Sequence, residues 1–123
     1  QLMEAAELRT EGNQRLQLCI AVSYGGRWDI LQAARRATEI CSQGCDDATY
    51  ESAFEAALST HGLPPLDLLI RTGGERRVSN FLLWQLAYAE LWFTDTLWPD
   101  FGKDSFAEAV AWFAGRERRF GRI

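Results

Sequence analysis

The sequence predicts an α/β domain built on a parallel sheet flanked by helices. Short apolar runs at 16–22 (LQLCIAV) and about 67–71 (DLLIR) end at glycine-bearing turns and read as buried strands. Segments with helical apolar spacing separate and follow them. The resulting order is strand, helix, helix, strand, helix, strand, helix, and strands separated by helices pair parallel.

Each element has its own local signal. Residues 2–9 (LMEAAELR) read as the end of a helix whose start is missing, and EGN at 11–13 is a turn. After the first strand, SYGG at 23–26 breaks the chain. RWDILQAARRATEIC then places Ile30, Leu31, Ala34, Ala37 and Cys41 at helical spacing. SQGCDD is a loop in which Asp46 or Asp47 caps the next helix, predicted to bury Tyr50, Phe54, Ala57 and Leu58 and to stop at Gly62. Beyond the second strand, Ser79 is the expected N-cap of a helix over NFLLWQLAYAEL. WFTD is a third strand, WPDFG a turn, and Ser105 with Glu108 a capping box for FAEAVAWFAGRERR. Three strands make a thin sheet, which reads as half of a domain. The chain opens on Gln1, so its natural start is expected upstream.

The chain has 123 residues, a net charge of −4 and 47% hydrophobic residues, the composition of one soluble globular domain. The acidic balance argues against a general nucleic-acid binder. No run reaches the roughly 18 apolar residues of a membrane span, and none reads as a signal peptide. Of the 13 basic residues 12 are arginine, the better bidentate partner for phosphate and carboxylate. A GC-rich genome would give the same bias. Three cysteines fit a reducing cytoplasm; Cys19 reads as core, and Cys41 and Cys45 can share a helix face. One histidine, His61, leaves too few ligands for a structural zinc site.

The chemistry concentrates in LLIRTGGERRVSNFLLWQ at 68–85. Arg71 falls at the carboxyl end of a predicted strand, where open α/β sheets bind ligands. Gly73 and Gly74 permit positive φ and close backbone approach. Arg77 and Ser79 precede a predicted helix start, which attracts anions. Arg71, Arg77, the Val78 amide and the Ser79 hydroxyl can therefore converge on one phosphate or pyrophosphate. Alternatively, this is a surface loop whose arginines pair with Glu75 and Glu90. The lysine and spacing of a P-loop are absent. Glu90, between Ala89 and Leu91, suits a Mg²⁺ ligand or an ion-pair partner for arginine. Trp84, Tyr88, Trp92, Phe93 and Trp98 suit a core or a subunit interface. SYGGRWDI at 23–30 adds a second arginine-bearing glycine turn.

YGGRWDI together with DLLIRTGGERRVSNFLLWQLAYAELWFTDTLWPDF and the terminal RERRFG resembles the cis-prenyltransferases, in particular the bacterial undecaprenyl pyrophosphate synthases. The resemblance covers almost all of the chain and only the carboxyl-terminal half of that family's domain. Residues 1–123 are thus expected to be the carboxyl-terminal portion of a single domain whose amino-terminal portion is absent.

The resemblance implies condensation of isopentenyl pyrophosphate with an allylic pyrophosphate such as farnesyl pyrophosphate. Each step forms a cis double bond, and the product is undecaprenyl pyrophosphate, the lipid-carrier precursor for peptidoglycan synthesis. It implies that the allylic pyrophosphate leaves with the help of Mg²⁺, the isopentenyl double bond attacks, and a proton is lost. It assigns isopentenyl pyrophosphate to Arg71, Arg77, Val78 and Ser79, and Mg²⁺ to Glu90. Arg119 and Gly121 fall on an Arg-x-Gly motif that reaches a phosphate across a homodimer. The implied protein is cytoplasmic, or peripheral at the membrane that receives its product.

Two departures stand out. Ser23 occupies a position where the family usually has asparagine. The Asp-Gly-Asn-Gly-Arg loop and the Phe-Ser-x-Glu-Asn-Trp stretch occur nowhere in this chain. The chain carries the isopentenyl half-site, no catalytic residue of the allylic half-site, and is expected to be inactive alone. A non-catalytic partner subunit and a pyrophosphate-binding fragment are the alternative readings.

Overall fold

The computed structural model describes residues 2–117. The first helix, α1 (Leu2–Thr10), ends where its Thr10 hydroxyl donates to the Ala6 carbonyl, and all its residues are exposed. Residues 16–22, expected as a buried strand, form no strand. Leu16, Leu18, Ile20 and Val22 are all exposed, as is Cys19, which was expected in the core. A strand needs a neighbour for its backbone groups, and among the described residues none lies beside this run.

Helix α2 (Gly26–Ile40) and helix α3 (Asp47–Ala57) form the core. Ala33 and Ala37 present small side chains, so α3 can pack Phe54 and the following Leu58 closely against α2. Tyr50 straps the pair by donating to the Ala34 carbonyl at 3.1 Å. The Asp46 side chain accepts from the Thr49 amide at 2.8 Å, the expected N-cap. Helix α3 stops at Ala57, earlier than expected, and Gly62 takes its positive φ in the turn that follows. Cys41 and Cys45, expected as thiols of a reducing cytoplasm able to share a helix face, are instead joined as a disulfide across the α2–α3 turn, with Cα atoms 5.5 Å apart.

Strand β1 (Leu68–Arg71) pairs parallel with β2 (Glu90–Phe93), with Leu68 opposite Glu90 and Arg71 opposite Phe93. The helix expected over 80–91 does not form. Its residues split into a turn, a short 3₁₀ helix (Gln85–Tyr88) and β2 itself. The apolar spacing is helical, but pairing with β1 draws residues 90–93 into extended backbone, and tertiary pairing outweighs a weak local preference. Residues 90–93 thus replace WFTD at 92–95 as the strand.

Helix α4 (Lys103–Ala114) packs against the sheet through Trp112 on Trp92, with ring centroids 5.1 Å apart. It begins two residues before Ser105, with Gly102 at the N-cap, so Ser105 and Glu108 lie within the helix and form no capping box. The α/β class with a parallel sheet stands, on two strands among the described residues.

Candidate functional site: an arginine cradle at a strand end

Arg71 is the last residue of β1 and points its guanidinium across the following loop. Its Nη1 donates to the Ser79 hydroxyl at 2.9 Å and also to the Arg77 carbonyl. Arg77 Nε donates to the same Ser79 hydroxyl at 3.0 Å. Arg77 Nη1 forms an ion pair with Glu75, with both side chains about half exposed. The fold thus brings Arg71, Arg77 and Ser79 together, with two guanidinium groups converging on one hydroxyl, and Val78 adjoins them in the chain. Positive charge concentrated in this way attracts an oxyanion, and solvent access keeps the cradle open to one.

The backbone of the loop differs from expectation. Gly73 and Gly74 adopt φ of +84° and +77°. Their amides, however, donate to the carbonyls of Thr96 and Thr94 at 2.9 and 3.0 Å. These glycines shape the turn, and their N–H groups are committed to the 94–96 segment. Ser79 caps no helix: it adopts φ +47°, followed by Asn80 at +64° and Leu82 at +44°. The cradle therefore lacks the helix N-terminus that the sequence led us to expect, and the Gly73 and Gly74 amides do not serve it.

Glu90 opens β2 instead of ending a helix. Its carboxylate accepts from Arg116 Nε at 3.2 Å, and the Arg116 guanidinium also lies over the Trp112 ring at 5.2 Å. Because Glu90 lies opposite Leu68 and Arg71 opposite Phe93, the two residues stand at opposite ends of the strand pair, three residues or roughly 10 Å apart. The structure does not bring Glu90 beside the arginines. Among the described residues no cluster of three His, Cys, Asp or Glu forms around it. Glu90 offers a single, partly buried carboxylate, which fits a hard cation that completes its shell with water and phosphate oxygens. Arg119 and Gly121 lie outside the described residues.

Sequence reasoning missed two residues that organise this end of the molecule. Asp29, fully buried, accepts from the Ser59 hydroxyl at 2.7 Å and amide at 2.9 Å, from the Tyr24 hydroxyl at 2.9 Å and from Gln32 at 3.2 Å. Burial alone would raise its carboxyl, but the bonds from Ser59, Tyr24 and Gln32 outweigh that and hold it below the ordinary value. Burial, with the neighbouring Asp29 carboxylate, pushes the Tyr24 phenol up to about 12. Asn80 is the second. Its carbonyl accepts from the Gly26 amide at 2.7 Å, and its side-chain oxygen accepts from the Arg27 amide at 2.8 Å. Neither was legible, because each depends on partners about 30 to 50 residues away.

A cleft of about 790 Å³ lies elsewhere, lined by residues that include Leu58, Thr60, His61, Trp84 and Tyr88. No residue of the arginine loop lines it, so it is separate from the cradle.

Fold and site define a parallel α/β protein with an arginine-bearing turn at the carboxyl end of a strand. A prenyltransferase family model, described as "Putative undecaprenyl diphosphate synthase", matches residues 1–121, and the chain belongs to that family. It is 54% identical over 118 residues to the ditrans,polycis-undecaprenyl-diphosphate synthase ((2E,6E)-farnesyl-diphosphate specific) of Escherichia coli K12, covering 94% of this chain and 47% of that protein. It is 54% identical over 123 residues to the enzyme of the same name from Acinetobacter baylyi, covering 98% and 49%. The chain thus spans about half the length of the curated relatives it matches. Among solved structures, lavandulyl diphosphate synthase from Lavandula x intermedia, in complex with dimethylallyl diphosphate, matches with a TM-score of 0.85 at 40% identity, covering 97% of this chain and 52% of that one. A protein from Campylobacter jejuni described as a probable undecaprenyl diphosphate synthase matches with a TM-score of 0.77 at 36% identity, covering 98% and 54%.

Proposed function

We propose that the protein carrying this chain is a cis-prenyltransferase that condenses isopentenyl pyrophosphate with farnesyl pyrophosphate to make undecaprenyl pyrophosphate, and that this chain forms the isopentenyl pyrophosphate half-site. One observation carries the reading: Arg71 and Arg77 converge on the Ser79 hydroxyl at the end of β1. In the proposed complex the pyrophosphate takes hydrogen bonds from both guanidinium groups, from Ser79 and from the Val78 amide. Arg77 exchanges Glu75 for the ligand, a small loss because an exposed ion pair contributes at most about 1 kcal/mol. The names of the relatives support the substrate class.

Mg²⁺ is the proposed metal, with Glu90 as one ligand and pyrophosphate oxygens and water as others; when bound it would neutralise charge on a departing pyrophosphate. Arg119 and Gly121 are proposed as further phosphate contacts across a homodimer. The proposed location is the cytoplasm, at the membrane face that receives the product. Among the described residues no helix is long and apolar enough to cross a membrane.

The chain by itself contains no Asp-Gly-Asn-Gly-Arg stretch. That favours a second reading for the 123 residues taken alone, binding without turnover. Isothermal titration of the full-length protein with isopentenyl pyrophosphate and Mg²⁺, followed by a chain-elongation assay with farnesyl pyrophosphate, tests both. Absence of binding removes the half-site. Tight binding without elongation in the full-length protein leaves only a pyrophosphate-binding module.

A further inference from the structure

Beyond Arg71, the last residue of β1, the cradle lies in a loop with no helix or strand of its own. Ser79, on which both arginines converge, lies in a segment where residues 79, 80 and 82 adopt left-handed backbone. Such backbone is costly for side chains other than glycine and persists only where the surroundings impose it. Asn80 is the residue that ties this segment down. Its carbonyl accepts the Gly26 amide at 2.7 Å, and its side-chain oxygen accepts the Arg27 amide at 2.8 Å.

Those two amides open α2, where the first N–H groups lack partners within the helix. The residue in the N-cap position, Gly25, has no side chain to satisfy them. Asn80 therefore serves as the cap of a helix more than fifty residues away. Asparagine suits both tasks, since it tolerates left-handed φ and carries a cap acceptor. The fit on the α2 side is close. A Cβ on Gly26 would lie 2.9 Å from Leu83 Cγ and 3.1 Å from the Asn80 carbonyl, and a Cβ on Gly25 would lie 3.1 Å from Asn80 Nδ2. The two glycines of the 23–30 segment are what let residues 80–83 seat there.

We infer that Asn80 is a positioning residue for the pyrophosphate cradle: by capping α2 it locks the 79–82 backbone and so fixes the Ser79 hydroxyl between Arg71 and Arg77. It touches no substrate; it acts through Ser79. The inference rests on the half-site reading above, and it links the two arginine-bearing glycine turns into one unit.

The test uses the full-length protein, with titration of isopentenyl pyrophosphate in Mg²⁺ and steady-state kinetics for both substrates. Asn80→Gly keeps the backbone conformation and removes the side-chain acceptor. It should raise the Kd and KM for isopentenyl pyrophosphate about tenfold, with kcat and the KM for farnesyl pyrophosphate within about twofold. Asn80→Asp restores an acceptor that tolerates positive φ and should return the Kd to within about threefold of the parent. A merely structural role would lower the active fraction and leave both KM values alone. Unchanged isopentenyl pyrophosphate affinity in Asn80→Gly overturns the inference, and so does an Asn80→Asp variant as weak as Asn80→Gly. If Asn80→Gly does not fold, Gly26→Ala decides the matter by pushing on Leu83 and the Asn80 carbonyl: a raised Kd supports the inference and parent-like affinity overturns it. Failure of the parent protein to bind isopentenyl pyrophosphate would instead remove the half-site reading itself.

Discussion

The Asp29 carboxylate accepts both the hydroxyl and the backbone amide of Ser59, at 2.7 and 2.9 Å, thirty residues along the chain. This double bond of donors ties the start of α2 to the segment leaving α3, on the same side as the Gly25–Gly26 turn that receives Asn80. Asp29 is fully buried, so its charge is tolerated only because its donors are in place. Asp29→Asn should cost about 1.5–3 kcal/mol of unfolding free energy, the range for hydrogen bonds to a charged group, as read from urea denaturation. A loss below a few tenths would mean that the donors are satisfied equally well by a neutral amide.

The same group sets a pH dependence. The folded carboxyl is held below its ordinary value, so its contribution is complete above the unfolded value of about 4 and is lost as the pH falls through the lower folded one. Tyr24 has the opposite sign. Its phenol is raised from 10.0 to about 12, so its contribution is complete below about 10 and disappears as the pH rises through 12. Tyr24 should ionise near pH 12 in an ultraviolet titration, and that late transition should vanish in Tyr24→Phe. An unaltered late transition in Tyr24→Phe would assign it to another ring.

Arg77→Ala in the full-length protein should weaken isopentenyl pyrophosphate binding by about 1.5–3 kcal/mol, the value of a charge-assisted bond. The fold should be unaffected, because Arg77 is exposed and its ion pair with Glu75 lies at the surface. An unchanged Michaelis constant would take Arg77 out of the cradle.

Glu90→Gln breaks the Glu90–Arg116 pair and should change stability by about 1 kcal/mol or less, since Arg116 is half exposed and keeps its place over Trp112. If Glu90 is a Mg²⁺ ligand, the concentration of Mg²⁺ for half-maximal activity should rise by about tenfold or more in the full-length variant. Equal Mg²⁺ titration curves for the two proteins would leave Glu90 with its ion pair alone.

The Cys41–Cys45 bond closes a loop of only a few residues between α2 and α3. On the chain-entropy account, so small a loop corresponds to about 2 kcal/mol, and reduction with dithiothreitol should lower the unfolding free energy by about that much or less. Alkylation of all three cysteines in unreduced protein under denaturing conditions would show that the thiols are free in solution.

Several elements were readable from short stretches because their causes are local. The Asp46 cap needs only the Thr49 amide three residues on, and α2 announces itself through the spacing of Ile30, Ala34 and Ala37. The β1 strand and its terminal Arg71 followed from one apolar run and the glycines after it. The meeting of Arg71, Arg77 and Ser79 was also readable, since the three lie within nine positions.

What the sequence determined by itself was therefore the α/β class, the two helices α2 and α3, the arginine-bearing turn and, through the long 67–101 block, the family. Tertiary structure alone decided the rest. It drew Glu90 out of a helical pattern and into β2, and placed it at the far end of the strands from Arg71. It committed the Gly73 and Gly74 amides to residues 94–96, paired 16–22 with no strand among the described residues, and gave α2 its cap from Asn80. The physical reason is common to all of these. A backbone hydrogen bond to a distant partner is worth as much as one to a neighbour, and only the folded chain determines which partners come within 3 Å.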